Sequence, residues 1–406
     1  MRELISVEEA EQLLTNLVRP APVTTQPLDS CAGHILREDI TADRDLPPFD
    51  RVMLDGYAAR WPENPEPHFQ KSRFEIVGKS FAGDPTATLP DRTDCMLEVM
   101  TGSSLPKGAD TVIPFEDTEI SEAGYVCIKP DATVTRGQAI HRQGSDFPQG
   151  KILLQSGSLL GPAESEIAAS CGYAHLQVSQ YPRITVIGTG DELVPVEATP
   201  KPWQIRRSNA LGITTALRLA RFPVHAQIHL SDNQDTELPR LIQAVENSDI
   251  VITSGAISMG SRDWLPAALS DMGECIFHGI SQRPGKPMGV WVSKTKKLIF
   301  SLPGNPVATL VGVHRYILPY LQRCSGLRAA FKKSQSAILK KSINTPLPLS
   351  IFLPVILDDF GVASPLPTQN SGDYARLAST TGFVELNKNQ KKWDAGTEVP
   401  YYGWQK

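Results

Sequence analysis

The feature of the sequence that most restricts the fold is a regular alternation, between Arg183 and Gly326, of short apolar runs with amphipathic stretches. The runs have the length of strands and are rich in Val and Ile, whereas the stretches repeat apolar residues every three or four positions, as helices do. In chain order the segments are ITVIG, NALGITTALRLA, VHAQIHL, TELPRLIQAVE, DIVITSG, DWLPAALSDM, GVWVS and KLIFSL, with a further helix beginning near Pro306. This alternation predicts a mostly parallel sheet with both faces covered, and ligands collect at the loops after the strand C-termini of such sheets.

Other parts of the chain lack this rhythm and predict further domains. At 406 residues the chain is too long for one ordinary hydrophobic core. Short apolar runs broken by Gly, Pro and Asp predict an all-β module, and similar runs near the end predict a small β domain. We therefore predict an N-terminal helix and elongated linker domain over residues 1–45 and 145–178, a β module over 46–144, an α/β domain over 179–326 and a C-terminal β domain over 327–406.

Charge and cysteine usage restrict the class of protein. The formal net charge is -4, and the charged residues are spread evenly, so the chain has no basic stripe for nucleic acid. The six cysteines are far apart, which predicts free thiols in a reducing compartment and no structural zinc. The start of the chain is acidic and amphipathic, unlike a signal peptide, and no run approaches the ~18 apolar residues of a membrane span. These features predict a cytoplasmic protein without membrane or nucleic-acid partners.

Two glycine-containing loops follow predicted strands of the α/β domain. In the first, Gly190 lets the backbone turn sharply, and Asp191 and Glu192 could hold a magnesium ion or a ligand hydroxyl. In the second, residues 253–260 (TSGAISMG) place small residues before a predicted helix, where unpaired N–H groups and the helix dipole attract an anion such as phosphate. For each loop by itself an alternative stays open, namely a plain turn with solvated acids for the first and a capped helix without a ligand for the second.

A third part of this edge combines cations with turns that proline stiffens. Residues 283–287 (RPGKP) present Arg283 and Lys286, and residues 301–306 (SLPGNP) follow the next strand. Because proline fixes φ, the two cations are expected to be pre-oriented for phosphate or another oxyanion. A rigid surface turn with solvated charges is the alternative. Together the three loops indicate an anion-binding edge.

The β module contains two short polar residues at turns. Asp55 lies in the segment LDGYA and Thr101 in the segment MTG. Such side chains either face a site or cap the backbone, and the sequence by itself favours capping.

An ordered set of motifs extends along the chain: LPPFD...LDGYA, MTG...P.GAD.V.P.E, TGDEL, SN, SG.ISMG..D, PGKP and LPGNPVAT. This set resembles the signature of the MoeA/gephyrin family of molybdenum insertases from about residue 5 to Arg323, and NSGDYARLASTTGFVEL is similar to the family's C-terminal β domain. The resemblance implies a homodimer of four domains, with an α/β domain of the molybdopterin-binding type and a small C-terminal β-barrel. It also implies that the β module closes over a site, that of the partner subunit.

The same resemblance implies a reaction and assigns roles to residues. Adenylylated molybdopterin and molybdate, with Mg²⁺, would give the molybdenum cofactor and AMP. Family site residues fall on Asp55, Thr101, Asp146, Glu192, Asp232 and Asp263 as catalytic groups, with Glu192 and Asp191 as magnesium ligands. Substrate or cofactor binding falls on Gly190, Asp191, Ser208, Asn209, Ser254, Gly255, Ser258, Gly260, Arg283, Gly285, Lys286, Pro303, Asn305 and Pro306. Contact with a molybdopterin adenylyltransferase is a further implication.

Several positions depart from the family pattern. Where the family commonly reads FDNSAMDGYA, this chain has FDRVMLDGYA. Gly188 replaces a usual Ser, Gly279 a frequent Lys, Arg283 a usual Lys and Ser261 a usual acid. The altered segment leaves an alternative open, in which the chain binds molybdopterin or its nucleotide as a carrier or scaffold without catalysis.

Overall fold

The computed structural model describes residues 4–63, 69, 72–257, 263–328, 335–366 and 374–404. The chain divides into two compact units. The first comprises residues 1–38, 156–162 and 175–406, and the second comprises residues 39–155 and 163–174. Within the described ranges, the helices are too short or too polar to cross a membrane.

The regular elements are numbered in chain order. The α-helices are α1 (Val7–Asn16), α2 (Pro162–Ser170), α3 (Asn209–Leu219), α4 (Gln234–Glu246), α5 (Leu265–Met272), α6 (Pro306–Gly312) and α7 (Leu318–Cys324), with a π-helical turn over Val313–Ile317 between the last two. The strands are β1 (Val23–Pro27), β2 (Ile40–Thr41), β3 (Arg51–Val52), β4 (Gly56–Ala59), β5 (Arg73–Ser80), β6 (Cys95–Val99), β7 (Thr111–Pro114), β8 (Thr118–Ile120), β9 (Val126–Ile128), β10 (Ile140–His141), β11 (Ile152–Leu154), β12 (His175–Ser179), β13 (Ile184–Thr189), β14 (Leu193–Val194), β15 (Ile205–Arg206), β16 (Val224–Leu230), β17 (Ile250–Ser254), β18 (Gly273–His278), β19 (Gln282–Arg283), β20 (Gly289–Ser293), β21 (Leu298–Leu302), β22 (Gln335–Leu339), β23 (Ile343–Asn344), β24 (Ser350–Leu357), β25 (Val362–Pro365), β26 (Gly382–Leu386), β27 (Lys392–Trp393) and β28 (Glu398–Gly403).

The first unit contains a six-stranded sheet with the strand order β16-β13-β17-β21-β20-β18. β13 pairs in parallel with β16 and β17, and β17 pairs in parallel with β21. β20 is antiparallel to both of its neighbours. The prediction of a mostly parallel sheet is therefore confirmed. The sequence carries no strong strand signal for β18, because its residues GECIFH follow α5 directly and mix polar with apolar side chains.

Helices cover both faces of this sheet. Val186 and Ile252 pack on one face, together with apolar residues of α3, α6 and α7. Their neighbours Ile187 and Val251 pack on the opposite face, together with residues of α4 and α5. Because successive strand residues point to opposite faces, a strand that is buried throughout must be apolar at almost every position. This is why ITVIG and DIVITSG could be recognised as strands of a sheet with both faces covered.

A small barrel lies near the end of the chain, as predicted. Its strands follow the order β24-β25-β22-β28-β26, and β26 pairs back to β24, which closes the sheet. The interior contains Leu339, Val355, Val384 and Val399. β19, which follows β18 in the chain, adds to the barrel by pairing in parallel with β24.

The second unit contains a six-stranded sheet of its own, with the order β7-β4-β6-β5-β9-β8, and the prediction of an all-β module is confirmed. Its central strand β4 lies between β6 and β7. At Gly56 a Cβ atom would lie 2.1 Å from the carbonyl oxygen of Ile113, so only glycine allows these strands to approach. This pairing places Asp55, just before β4, beside the turn that follows β6 and contains Thr101.

Candidate functional site

A cavity of about 1020 Å³ lies at the carboxyl ends of the parallel strands in the first unit. It is lined by residues from the loops after β13, β17 and β21, which were predicted to meet at one sheet edge, and by residues from the loop after β16. Of the predicted site residues, its lining includes Gly190, Glu192, Ser208, Asn209, Asp232, Ser254, Gly255, Asp263, Pro303 and Pro306. The cavity is large enough for a ligand of nucleotide size.

One asparagine side chain joins three of these loops. The Nδ2 group of Asn209 donates to Ser254 Oγ at 2.9 Å and to the carbonyl oxygen of Gly304 at 2.9 Å. Ser254 is buried, and its hydroxyl also donates to the carbonyl oxygen of Pro303 at 3.4 Å. The loops after β17 and β21 and the start of α3 therefore form one hydrogen-bonded wall of the cavity.

The loop after β21 leads directly into α6. Asn305 is the N-cap of that helix, and its Oδ1 accepts from the backbone N–H of Ala308 at 3.0 Å. Pro306 takes the first helical position, where its missing N–H costs nothing. The loop that was predicted as rigid is thus held by a capped helix, and Asn305 acts through this cap.

Two glycines let the loops approach each other closely. Gly190 has φ +132, and a Cβ atom at this position would lie 2.4 Å from an Oε of Glu192. Gly255 has φ +103, and a Cβ atom there would lie 2.6 Å from Thr189 Oγ1. Both backbone conformations belong to the region that favours glycine.

Two aspartates join the loops after β13 and β16. Asp191 Oδ1 accepts from the backbone N–H of Asp232 at 3.1 Å, and Asp232 Oδ2 accepts from the backbone N–H of Asp191 at 3.3 Å. Each carboxylate keeps one oxygen outside this reciprocal pair. The arrangement brings the acidic groups of two loops to the same edge of the sheet.

Two arginines and a histidine that sequence reasoning missed also line the cavity: Arg206, Arg207 and His229. The Nε groups of Arg206 and Arg207 donate to the carbonyl oxygens of Ala198 at 3.2 Å and Leu193 at 3.4 Å. Burial, and after it the charge of Arg207, lower the pKa of His229, so its imidazole is neutral at pH 7. The available signal was the segment IRRSN, in which two cations directly precede the predicted Ser208 and Asn209.

The third predicted loop contributes differently from the expectation. The described lining of the cavity takes Pro287 from this segment, but not Arg283, Gly285 or Lys286. Arg283 belongs to β19, whose backbone pairs with β24 of the barrel. The cations at the described cavity are instead those that precede α3. Ser258 and Gly260, predicted as anion ligands, lie outside the described residues.

Asp55 and Thr101 contact each other in the second unit. Asp55 Oδ1 accepts from the backbone N–H of Thr101 at 2.7 Å and from its hydroxyl at 2.8 Å. These two bonds, the backbone bond first, lower the pKa of Asp55, so the exposed carboxylate is ionised at neutral pH. Asp55 therefore fixes the turn after β6, which agrees with the capping interpretation, and its Oδ2 accepts no bond from the described residues.

Asp146, also in the second unit, is held by a histidine. Its Oδ1 lies 2.8 Å from Nε2 of His141. Its backbone N–H donates to the carbonyl oxygen of Leu46 at 3.0 Å. Both the main chain and the side chain of Asp146 are thus fixed within this unit.

The chain matches known families over most of its length. The MoeA N-terminal region (domain I and II) matches residues 5–172, a probable molybdopterin binding domain matches 185–323, and the MoeA C-terminal region (domain IV) matches 336–404. A molybdopterin molybdenumtransferase of Synechocystis sp. is 38% identical over 387 residues, which cover 94% of this chain and 95% of that protein. The chain belongs to the MoeA family. The resemblance seen in the sequence motifs is thereby confirmed.

Other members of the MoeA family are more distant but equally complete matches. The molybdopterin molybdenumtransferase of Bacillus subtilis is 28% identical, with 98% of this chain and 94% of that protein covered. A solved structure of a molybdopterin biosynthesis MoeA protein from Pyrococcus horikoshii superposes with a TM-score of 0.80 at 28% identity over 100% of both chains. The likeness to this MoeA structure supports the assignment of a multidomain α/β and β fold.

Proposed function

We propose that this MoeA-family chain is a transferase, a molybdopterin molybdenumtransferase. It takes adenylylated molybdopterin and molybdate and releases AMP and the molybdenum cofactor. In this reaction water cleaves the phosphoanhydride bond and releases AMP. The two dithiolene thiols replace one oxo group of molybdate, and this oxygen leaves as water together with the two thiol protons. No electrons are transferred. The observation that carries the proposal is the cavity of about 1020 Å³ at the sheet edge, lined by glycine turns, hydroxyls, carboxylates and two arginines.

The donor groups of the cavity suit a phosphorylated substrate. Gly304 lines the cavity, and the nearest atom to a Cβ at this position would be 3.8 Å away, so a ligand can approach the backbone closely there. Arg206 and Arg207 supply positive charge, because a guanidinium group stays protonated and has several N–H donors. We propose that these two arginines neutralise the phosphates of the adenylylated pterin, together with Arg283 and Lys286, which the family resemblance assigns to substrate binding.

The acidic groups at the same edge suit a magnesium ion. Asp191 and Asp232 each use one carboxylate oxygen for the other's backbone and retain a second oxygen, and Glu192 lies beside Gly190. The described residues contain no group of three or more His, Cys, Asp or Glu side chains arranged to hold a metal. Magnesium is commonly held by one or two carboxylates and by the phosphates of the substrate, so the donors present fit this ion. When bound, it would neutralise charge on the phosphates.

The proposed catalytic groups are the residues that the family resemblance assigns: Asp55, Thr101, Asp146, Glu192, Asp232 and Asp263. Asp55 and Asp146 each present a carboxylate that is fixed on one oxygen by a neighbour. A fixed carboxylate can accept a proton from an attacking water or orient a substrate hydroxyl.

We further propose that the chain acts as a cytoplasmic homodimer that receives its substrate from a molybdopterin adenylyltransferase. Light scattering on the purified protein would then give twice the mass of one chain.

Release of AMP tests the proposal. The full-length protein is mixed with adenylylated molybdopterin, molybdate and MgCl₂, and free AMP is measured by chromatography. The wild type should release AMP, and Asp263→Asn should lower the rate by about 100-fold or more, as loss of a catalytic carboxylate does. Asp271→Asn changes an exposed carboxylate at the end of α5 and should keep the wild-type rate.

A carrier or scaffold is the second candidate, and the altered segment before Asp55 supports it. Arg51, Val52 and Met53 stand where the family has the smaller residues Asn, Ser and Ala, and Met53 is about half exposed. Tight binding of adenylylated molybdopterin in calorimetry, without AMP release by the wild type, would support this candidate and contradict the insertase.

A further inference from the structure

A three-residue chain of hydrogen bonds ends on Asp146 in the second unit. β3 and β10 pair antiparallel, with Arg51 directly opposite His141. Arg51 Nη2 lies 3.0 Å from His141 Nδ1, and His141 Nε2 lies 2.8 Å from Asp146 Oδ1. Both ring nitrogens of His141 are therefore engaged.

The chemistry of the three groups fixes the direction of each bond. A guanidinium group can only donate, so Nδ1 of His141 must accept from Arg51. The imidazole is then neutral, with its proton on Nε2, and this N–H donates to the carboxylate of Asp146. A protonated imidazole would place an N–H against the guanidinium, so the pair with Arg51 selects one tautomer.

The backbone around Asp146 is fixed independently of this chain of bonds. Its own N–H donates to the carbonyl oxygen of Leu46, and that of Gly144 donates to Pro47 at 3.0 Å. Since the main chain is already held, His141 determines where the carboxylate lies. Oδ2 of Asp146 accepts no bond from the described residues, and the side chain is 50% exposed, so that oxygen is available to a ligand.

The carboxylates near Arg51 have other partners and do not compete with His141 for its guanidinium group. Asp50 is next to Arg51 in the chain, but it accepts from Arg142 Nη1 at 2.7 Å and from the backbone N–H of Gln143 at 2.9 Å. Asp45 accepts from the side chain of Gln143 and the backbone of Gln149. The nearby carboxylates are therefore engaged elsewhere, and the described contact of the Arg51 guanidinium is His141.

We propose that Arg51 and His141 are positioning residues, which hold Asp146 so that Oδ2 accepts a hydrogen bond from an N–H or O–H group of the substrate or from an attacking water. The inference rests on the proposed function for the role of Asp146, but the chain of bonds can be tested without it. Arg51 is one of the residues by which the segment FDRVMLDGYA differs from the common family sequence, and the proposal assigns a role to this residue.

The first experiment measures the imidazole itself. The full-length protein is labelled with ¹⁵N-histidine, and the His141 signals are assigned by their loss in His141→Asn. At pH 8 the wild type should show a protonated Nε2 and an unprotonated Nδ1. Arg51→Met should shift both signals toward a mixture of tautomers, whereas Arg51→Lys, which keeps a donor, should restore the wild-type pattern. Identical spectra for the wild type and Arg51→Met would overturn the proposal.

The second experiment measures AMP release. Arg51→Met and His141→Ala should each lower kcat by about 10- to 100-fold, as loss of a group that orients an active carboxylate does. Adding either change to Asp146→Asn should cause no further loss, because both act through Asp146. Lys79→Met, which breaks the ion pair with Glu98 at 2.9 Å in the same unit, is the control and should leave kcat unchanged.

The two experiments separate the possible failures. A wild type that releases no AMP contradicts the proposed function, while the NMR result still decides the hydrogen-bond chain. Independent, additive losses in the double variants would show that Arg51 and His141 do not act through Asp146, and would overturn the positioning role.

Discussion

At the scale of single residues, two glycines of the cavity differ in what they allow. Gly255 has φ +103, and its missing side chain leaves room for the hydroxyl of Thr189. Gly304 also lines the cavity, but the nearest atom to a Cβ there would be the Cα atom of Gly255, at 3.8 Å. Only the first position combines a backbone conformation that favours glycine with a close contact.

We therefore expect Gly255→Ala to destabilise the fold by about 1–3 kcal/mol, the usual cost of a strained backbone conformation. Gly304→Ala, the matched control, should change the free energy of unfolding by less than about 1 kcal/mol. Urea unfolding followed by circular dichroism measures both variants. Equal stability of the two would show that the loop after β17 adjusts without strain.

It was easier to predict from the sequence which residues belong to the site than the directions in which side chains point. Small and acidic residues after strands indicated Gly190, Glu192 and Ser254, and all three line one cavity. The same reasoning could not show that Arg206 and Arg207 face that cavity, because a charged residue in a loop points to solvent or to a site with the same sequence signature. Nor could it predict the contact of Arg51 with His141, which are 90 positions apart.

At the scale of elements, the strands and helices of the α/β sheet follow from the sequence because burial on two faces leaves a strong pattern. β13 and β17 are buried at every position, and α3 and α4 each have buried residues on one face and exposed residues on the other. Short elements such as β14 and β15 contain two residues each and leave no periodic pattern. Their pairing in parallel places the arginines that precede α3 and could be known only from the structure.

The start of α3 is joined to two neighbouring loops by the side chain of Asn209. Asn209→Ala removes both hydrogen bonds that join α3 to the loops after β17 and β21. We expect a loss of about 1–3 kcal/mol, because buried Ser254 also loses a partner. The affinity for AMP in calorimetry should fall as well, since the cavity wall is loosened.

Arg218→Ala is the control for this variant, because Arg218 is exposed in the last turn of the same helix. It should change neither stability nor affinity for AMP by a measurable amount. A variant Asn209→Ala that keeps both wild-type values would show that the wall does not depend on this side chain.

At the scale of the whole chain, one buried cation connects segments that are far apart in sequence. Arg315 donates from Nε to Glu385 of the barrel strand β26 at 2.9 Å, and from Nη2 to Glu11 of α1 at 3.0 Å. Glu11 also accepts from Arg323 at 3.0 Å. Arg315 and Glu11 are 304 positions apart, so no local sequence pattern could predict this contact.

The network makes stability depend on pH through Glu11. Burial raises the pKa of this carboxyl, but the charges and hydrogen bonds of Arg315 and Arg323 outweigh it and lower the pKa below its ordinary value of 4.5. A carboxyl whose pKa is lowered on folding stabilises the folded state above its unfolded value, and this contribution is lost as the pH falls through the folded value. The contribution is thus complete at pH 7 and disappears below pH 4.5.

Glu11→Gln should therefore lower the melting temperature at pH 7 and flatten its dependence on pH below 4.5, the ordinary value of this carboxyl. The amide cannot ionise, so the variant and the wild type should approach each other in acid, where Glu11 of the wild type becomes protonated. Thermal unfolding from pH 7 to pH 3 measures this difference, with Asp271→Asn as the control at an exposed carboxylate. Two melting curves that stay parallel over the whole range would show that Glu11 gains nothing from Arg315 and Arg323.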